Sequence, residues 1–194
     1  MSPDDRRRAI VEAVIPLLTE HGSAVTTRQM AEAAGIAEGT IFRVFPDKSA
    51  LIHEAIKVSM DPAPVQKGLA EIYPFGPIEV QLAEAARILL ERFEKVIALV
   101  SVLRTVPPSG RKPPAGPPPF ISQSNVAVMA ALTALFERHR DRLRIEPSRA
   151  AAAFRGLIFA SGHPMVSLAE KLTIDEIVGV LLSGILDPVS ARAT

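Results

Sequence analysis

The sequence predicts an all-α protein of about nine helices, divided into a small N-terminal helical domain and a larger helical one. Three observations carry this. Apolar residues recur at spacings of three or four over most of the chain, the period of a half-buried helix. Helix-start signals stand at Thr26-x-x-Gln29 and Thr173-x-x-Glu176, where each side chain satisfies an amide at the other's end. Breaks fall between the periodic stretches, at Gly35, at Asp61-Pro62-Ala63-Pro64 and across Val106 to Pro119.

The first helix runs from about Asp4 to His21, with Ile10, Val14, Leu17 and Leu18 inward. Pro16 lies inside it, removes one backbone bond and is expected to kink it. The next begins at the Thr26–Gln29 box and shows Met30, Ala31 and Ala34 as a narrow apolar face. Gly35 then supplies the left-handed conformation that ends a helix and turns the chain. Ile36 fills the corner, and Ile41 and Phe45 continue the buried side of a second short helix. Glu38, Gly39, Thr40 and Arg43 are left outside, with Phe42 at the edge. Helix, glycine turn and helix is the layout that enters the DNA major groove, although an ordinary helical hairpin gives the same pattern. A further helix, from about Asp47 to Met60, carries Leu51, Ile52, Ala55 and Ile56 inward. The prolines after it set the expected boundary between residues 1–60 and 61–194.

Residues from about Arg8 to Ile56 resemble the N-terminal DNA-binding domain of the TetR family of bacterial transcriptional regulators. The likeness runs through Glu20-His21-Gly22, Thr26-Thr27-Arg28-Gln29-Met30-Ala31, Ala34-Gly35-Ile36-Ala37-Glu38-Gly39-Thr40-Ile41-Phe42 and Phe45-Pro46-Asp47-Lys48-Ser49-Ala50-Leu51. It implies that Thr27 and Arg28 hold phosphates, that Gly39 lets the recognition helix approach, and that Thr40 and Arg43 face the groove. Lys48 matches a backbone-contacting lysine, and the helix carrying it is the mechanical link to a ligand pocket. Three positions depart from the pattern. Ala37 stands where a serine is common, so the recognition helix loses about 1 kcal/mol of side-chain capping. Glu38 stands where a lysine is common, and Phe42 where a tyrosine often gives its hydroxyl to a phosphate. Glu38 has two readings: a carboxylate accepting from a cytosine amino group, or an acid favoured in a first helical turn by the macrodipole. Residues 1–60 hold seven bases and eight acids, a net −1, so a basic footprint exists only as a local patch of Arg28, Arg43 and Lys48 with Arg6, Arg7 and Arg8.

In the second domain, Leu82, Ala86, Leu89, Phe93, Val96, Val100 and Leu103 mark a helix from Ile78 to about Thr105, with Glu84, Arg87, Glu91 and Lys95 opposite. Val96 to Leu103 is apolar all round, so it is covered on every side by protein or by a ligand. Val106 to Pro119 reads as a semi-rigid proline-rich linker. Helix resumes from Phe120 to about Arg142, with Val128, Leu132, Leu135 and Phe136 inward and Arg138, Arg140, Arg142 and Arg144 at a solvated end. Pro147 opens a helix bearing Ala151, Phe154, Leu157, Ile158 and Ser161, which His163-Pro164 breaks. The last helix carries Ile174, Ile177, Val178, Leu181, Leu182, Ile185 and Leu186. Small residues, Ala151, Ala152, Gly179, Ser183 and Gly184, permit close helix approach in these last two. The resemblance implies that they pair with their copies in a homodimer, which sets two recognition helices about 34–36 Å apart on a palindrome.

Composition narrows the alternatives. With 48% hydrophobic residues and a net charge of +1, a chain of 194 residues folds around a substantial core. There is no cysteine, so disulfides, thiolate metal sites and cysteine nucleophiles are excluded. His21, His53, His139 and His163 lie far apart, and no phosphate-cradling loop or nucleophile elbow occurs, so neither enzyme, metal nor cofactor is expected. Neither a signal peptide nor a membrane span is read, and a cytoplasmic regulator is the expectation. The resemblance implies a repressor that binds a palindromic double-stranded operator as a dimer and is released by a small effector. Phe93, Val100, Phe120, Met129 and Phe136 are candidate pocket walls, with Asn125 and Thr133 as polar contacts. With eight phenylalanines, one tyrosine and no tryptophan, an apolar effector is expected over a flat cationic one. The alternative is a small-molecule sensor or carrier that has lost operator binding.

Overall fold

The computed structural model describes residues 2–106, 118–162 and 171–185. Among them are nine α-helices and no strand: α1 Pro3–His21, α2 Thr27–Ala33, α3 Glu38–Val44, α4 Lys48–Ser59, α5 Ala63–Glu71, α6 Ile78–Thr105, α7 Pro119–Glu137, α8 Pro147–Gly162 and α9 Ile174–Ile185. The proline-rich stretch 107–117, the expected break at His163-Pro164 and Leu186 lie outside the described residues.

The chain packs as two compact units. The first comprises residues 2–61, 95–106 and 118–122 of the described chain. Its core joins Ile10, Val14 and Leu18 of α1, Met30 and Ala31 of α2, Ile41 of α3, Phe45, and Leu51, Ile52, Ala55 and Ile56 of α4. Leu99 and Val102 of α6 belong to the same core. The stretch that is apolar all round is therefore covered, at least in part, by the helix-turn-helix unit. Helix α1 continues through Pro16, which is exposed.

The second unit comprises residues 62–94 and 123–185 of the described chain. Its core takes Leu82, Ala86 and Leu89 from α6, Val128, Leu132, Leu135 and Phe136 from α7, Ala151, Phe154 and Ile158 from α8, and Ile177, Val178, Leu181, Leu182 and Ile185 from α9. These are the expected inward residues. Helix α5 has no counterpart in the sequence reading: it begins at Ala63, directly after Pro62, takes in Pro64 and contributes Val65 and Leu69. Helix α7 is long and apolar enough to cross a membrane by length and composition alone, yet it supplies four large core residues here. It ends at Glu137, short of the expected Arg142, and a 3-10 turn follows at Arg140–Arg142. Arg138, Arg140 and Arg144 are exposed, as expected of a solvated end, and are tethered as well. Arg138 donates to the Ile72 carbonyl at 3.1 Å, and Arg140 pairs with Glu137 at 2.8 Å and Glu146 at 3.2 Å. Arg144 donates through Nε to the Gly184 carbonyl at 2.7 Å.

Candidate nucleic-acid interface

Local hydrogen bonding fixes the angle between α2 and α3. Gln29 Oε1 accepts from the Thr26 amide at 2.8 Å while Thr26 Oγ1 accepts from the Gln29 amide at 3.2 Å, the expected capping box. At the other end Gly35 has φ +64°, and its amide reaches the Glu32 carbonyl at 3.1 Å. The Ile36 amide reaches back to Ala31 at 3.0 Å, which completes a Schellman stop. Ala37 then caps α3 with no side-chain bond, as its methyl dictates.

That turn presents one side of α3 outward. Glu38, Gly39, Phe42 and Arg43 are exposed, with 48% of Phe42 accessible, while Thr40 is half-buried and Ile41 fully buried. Of the residues expected outside, Glu38, Gly39 and Arg43 are exposed and Thr40 is only partly so. Their polar partners, however, were not foreseen. The Thr27 hydroxyl donates to the Glu38 carboxylate, bridging the first turn of α2 to the first turn of α3. Arg28 Nε donates to Glu32 at 2.9 Å one turn along its own helix. Glu32 first, and Glu38 more weakly, hold the guanidinium above its ordinary pKa. Lys48 Nζ donates to the Ser23 carbonyl at 3.2 Å. Arg43 alone of these cations has no side-chain hydrogen bond or ion pair among the described residues.

Arg7 does not join a basic patch. Its guanidinium stacks over Phe45 at 4.3 Å, donates to the Val44 carbonyl at 3.2 Å and lies 3.9 Å from Glu54. It clasps the C-terminal end of α3 to α1 and α4. Its position three and four residues before Ile10 and Val11 was the available signal, since that spacing puts it on the buried edge of α1. Arg6 and Arg8 remain exposed.

The candidate effector residues are divided. Val100 and Phe120 pack against the core of the first unit, whereas Phe93, Asn125, Met129, Thr133 and Phe136 belong to the second. Phe93 meets Phe159 edge-to-face at 5.2 Å and lies so close to Gly162 that a Cβ there would come within 2.7 Å of its ring. Phe136 is fully buried and meets Phe154 at 5.9 Å. The Thr133 hydroxyl returns to the Met129 carbonyl at 2.9 Å, and Asn125 is exposed, accepting from Arg155 at 3.4 Å. A polar contact that sequence reading missed sits beside them: Arg92 donates to the buried Ser124 hydroxyl at 2.5 Å.

Two of the histidines hold remote segments together. His53 on α4 bonds the Val106 carbonyl at 3.0 Å, and His139 bonds Gln81 at 3.2 Å. Gln81 in turn donates to the Gly76 carbonyl at 2.8 Å and the Pro74 carbonyl at 3.2 Å. Burial, then Arg142 and Arg138, lower the His139 pKa below its usual value. Among the described residues no cluster of three or more metal-ligating side chains occurs.

A capped helix, a left-handed glycine and a short helix with one face exposed define a helix-turn-helix DNA-binding domain of the kind transcriptional regulators carry. Residues 10–55 match the family model described as bacterial regulatory proteins, tetR family. That match spans the helix-turn-helix segment, from within α1 to within α4. The whole chain shares the fold of solved relatives at low identity. A TetR-family transcriptional regulator from Mesorhizobium loti matches at 15% identity and TM-score 0.68, over 96% of this chain and 100% of that one. A TetR regulator from Streptomyces coelicolor matches at 22% identity and TM-score 0.60, over 94% and 99%. The TetR-like regulator LfrR of Mycobacterium smegmatis, in complex with proflavine, matches at 18% identity and TM-score 0.58, over 92% and 94%.

Proposed function

We propose that the protein is a cytoplasmic repressor that binds a palindromic operator as a homodimer and is released by a small, largely apolar effector. The observation that carries this is the outer face of α3, where the unpartnered Arg43 stands beside exposed Gly39 and Phe42. An arginine so placed can meet guanine or phosphate. Thr40 contributes at the edge of that face, Thr27 takes a phosphate through its amide at the start of α2, and Arg28 and Lys48 do so after leaving their internal partners.

The dimer uses α8 and α9. Support comes from their exposed Phe159 and Val180, at 46% and 58%, and from Gly156, Gly179 and Gly184, where an added Cβ would meet open space. The effector site lies in the second unit near Phe93, Met129 and Thr133, with Phe136 as packing behind it. The proflavine complex of LfrR supports a small-molecule role for this fold, and aromatic content supplied almost wholly by phenylalanine, with one tyrosine and no tryptophan, favours an apolar ligand. Release requires the effector to prefer a state whose paired recognition helices no longer fit the groove spacing.

A second reading has a specific observation behind it. Thr27, Arg28 and Lys48 are held internally, and residues 1–60 carry net −1, so operator binding could have been lost in favour of ligand sensing. A gel shift on the protein's own upstream DNA separates the two. The repressor reading predicts a shifted band that Arg43→Ala weakens at least about tenfold. No shift at any salt concentration favours the sensor.

A further inference from the structure

Glu38 is the least expected residue on the DNA face, because a carboxylate there repels the phosphates the face is built to meet. Its geometry suggests why it is tolerated. Ala37 leaves α3 without a side-chain cap, and α3 has only seven residues in which to hold its own conformation. A helix that short is marginal without tertiary support. The Thr27 hydroxyl donates to Glu38, so a side-chain bond ties the first turns of α2 and α3 together across the glycine turn.

We propose that Glu38 is a positioning residue for the recognition helix and not a reader of bases. Resting on the DNA-binding reading above, this makes the pair Thr27–Glu38 a brace that holds α3 at the angle set by the glycine turn. Its carboxylate charge keeps affinity for arbitrary duplexes low. Glu38 is exposed and lies near the Arg28 guanidinium, so the charge acts on the same face that Arg28 and Arg43 occupy. Glu38→Gln keeps an acceptor for Thr27 and removes the charge; Thr27→Val removes the donor and keeps the charge; Glu38→Ala removes both.

Two measurements on the full chain test this. In thermal unfolding, Thr27→Val and Glu38→Ala should each lower the midpoint by about 2–4 °C. The double variant should fall no further than the worse single one, and Glu38→Gln should keep the wild-type midpoint. Additive losses, or no loss in either single variant, would overturn the positioning role. In selection from a randomised duplex library, Glu38→Gln should keep the wild-type preference at every position while binding all duplexes about fivefold tighter, the effect of removing one repulsive charge at close range. A change of preference confined to one base pair, shared by Glu38→Gln and Glu38→Ala but not by Thr27→Val, would make Glu38 a reader and overturn the proposal. If the wild-type chain enriches no duplex, the DNA-binding reading fails, and the unfolding series alone decides whether Glu38 positions α3.

Discussion

Two glycines four residues apart should respond to alanine with opposite signs. Gly35 sits at φ +64°, with nothing within 4 Å of where a Cβ would stand, so Gly35→Ala meets no clash and its cost is purely backbone. Holding an L-residue in the left-handed region costs about 1–2 kcal/mol. Reduced freedom of the unfolded chain returns about 0.4–1 kcal/mol of that. The net is about 1 kcal/mol, or about 2–4 °C of melting temperature for a chain of this size. Gly39 also has nothing within 4 Å, yet it lies inside α3. Alanine there gains up to about 1 kcal/mol of helix propensity, so Gly39→Ala should raise the melting temperature. It should still weaken DNA binding, because its methyl stands on the exposed face. Melting followed by far-UV circular dichroism reads both. A neutral or stabilising Gly35→Ala would refute the claim that the turn depends on left-handed backbone, and a loss above about 4 kcal/mol would mean that a clash, and not the backbone, governs the site.

Three further outcomes are expected. Arg7→Ala removes a ring contact of about 0.5–1 kcal/mol and a carbonyl bond of about 1 kcal/mol, so denaturant unfolding should show a loss near 2 kcal/mol, and Arg7→Lys most of it. The His139 pKa is lowered in the folded protein, so the unfolded chain takes up the proton first. Its contribution is therefore present above about pH 6.5 and lost as pH falls below that value, and His139→Gln should flatten the drop in melting temperature between pH 7.5 and 5.5. Val180→Glu places a charge on the exposed face of α9 and should convert dimer to monomer in sedimentation velocity without loss of helix content; an unchanged sedimentation coefficient would reject that face as the dimer interface.

The parts of the fold that sequence reveals are those decided within one turn of helix. The Thr26–Gln29 box, the Gly35 stop and the uncapped Ala37 all act over three to five residues, and each was legible. So were the buried stripes of α4, α7 and α9, because a 3.6-residue period shows in any long amphipathic helix. Helix α5 was hidden because Pro62 and Pro64 read as breakers, although proline at the first helical positions lacks only an amide that would be unpaired anyway. The arginines after Glu137 seemed to share one solvated helix because their partners, Ile72 and Gly184, are remote in sequence. For the interface, exposure was readable and partnership was not: the Thr27–Glu38 bridge spans eleven residues across a turn, and no periodicity reports it. Leu99 and Val102 were seen to need cover, but which core covers them is a matter of tertiary packing.

The central claim is that two copies of the α3 face enter successive major grooves. Hydroxyl-radical footprinting of the protein's upstream duplex tests it directly. The account predicts two protected patches on one side of the duplex, centred about 10–10.5 base pairs or a multiple of that apart, both lost in Arg43→Ala. A single patch, or protection that survives the Arg43 change undiminished, would contradict it.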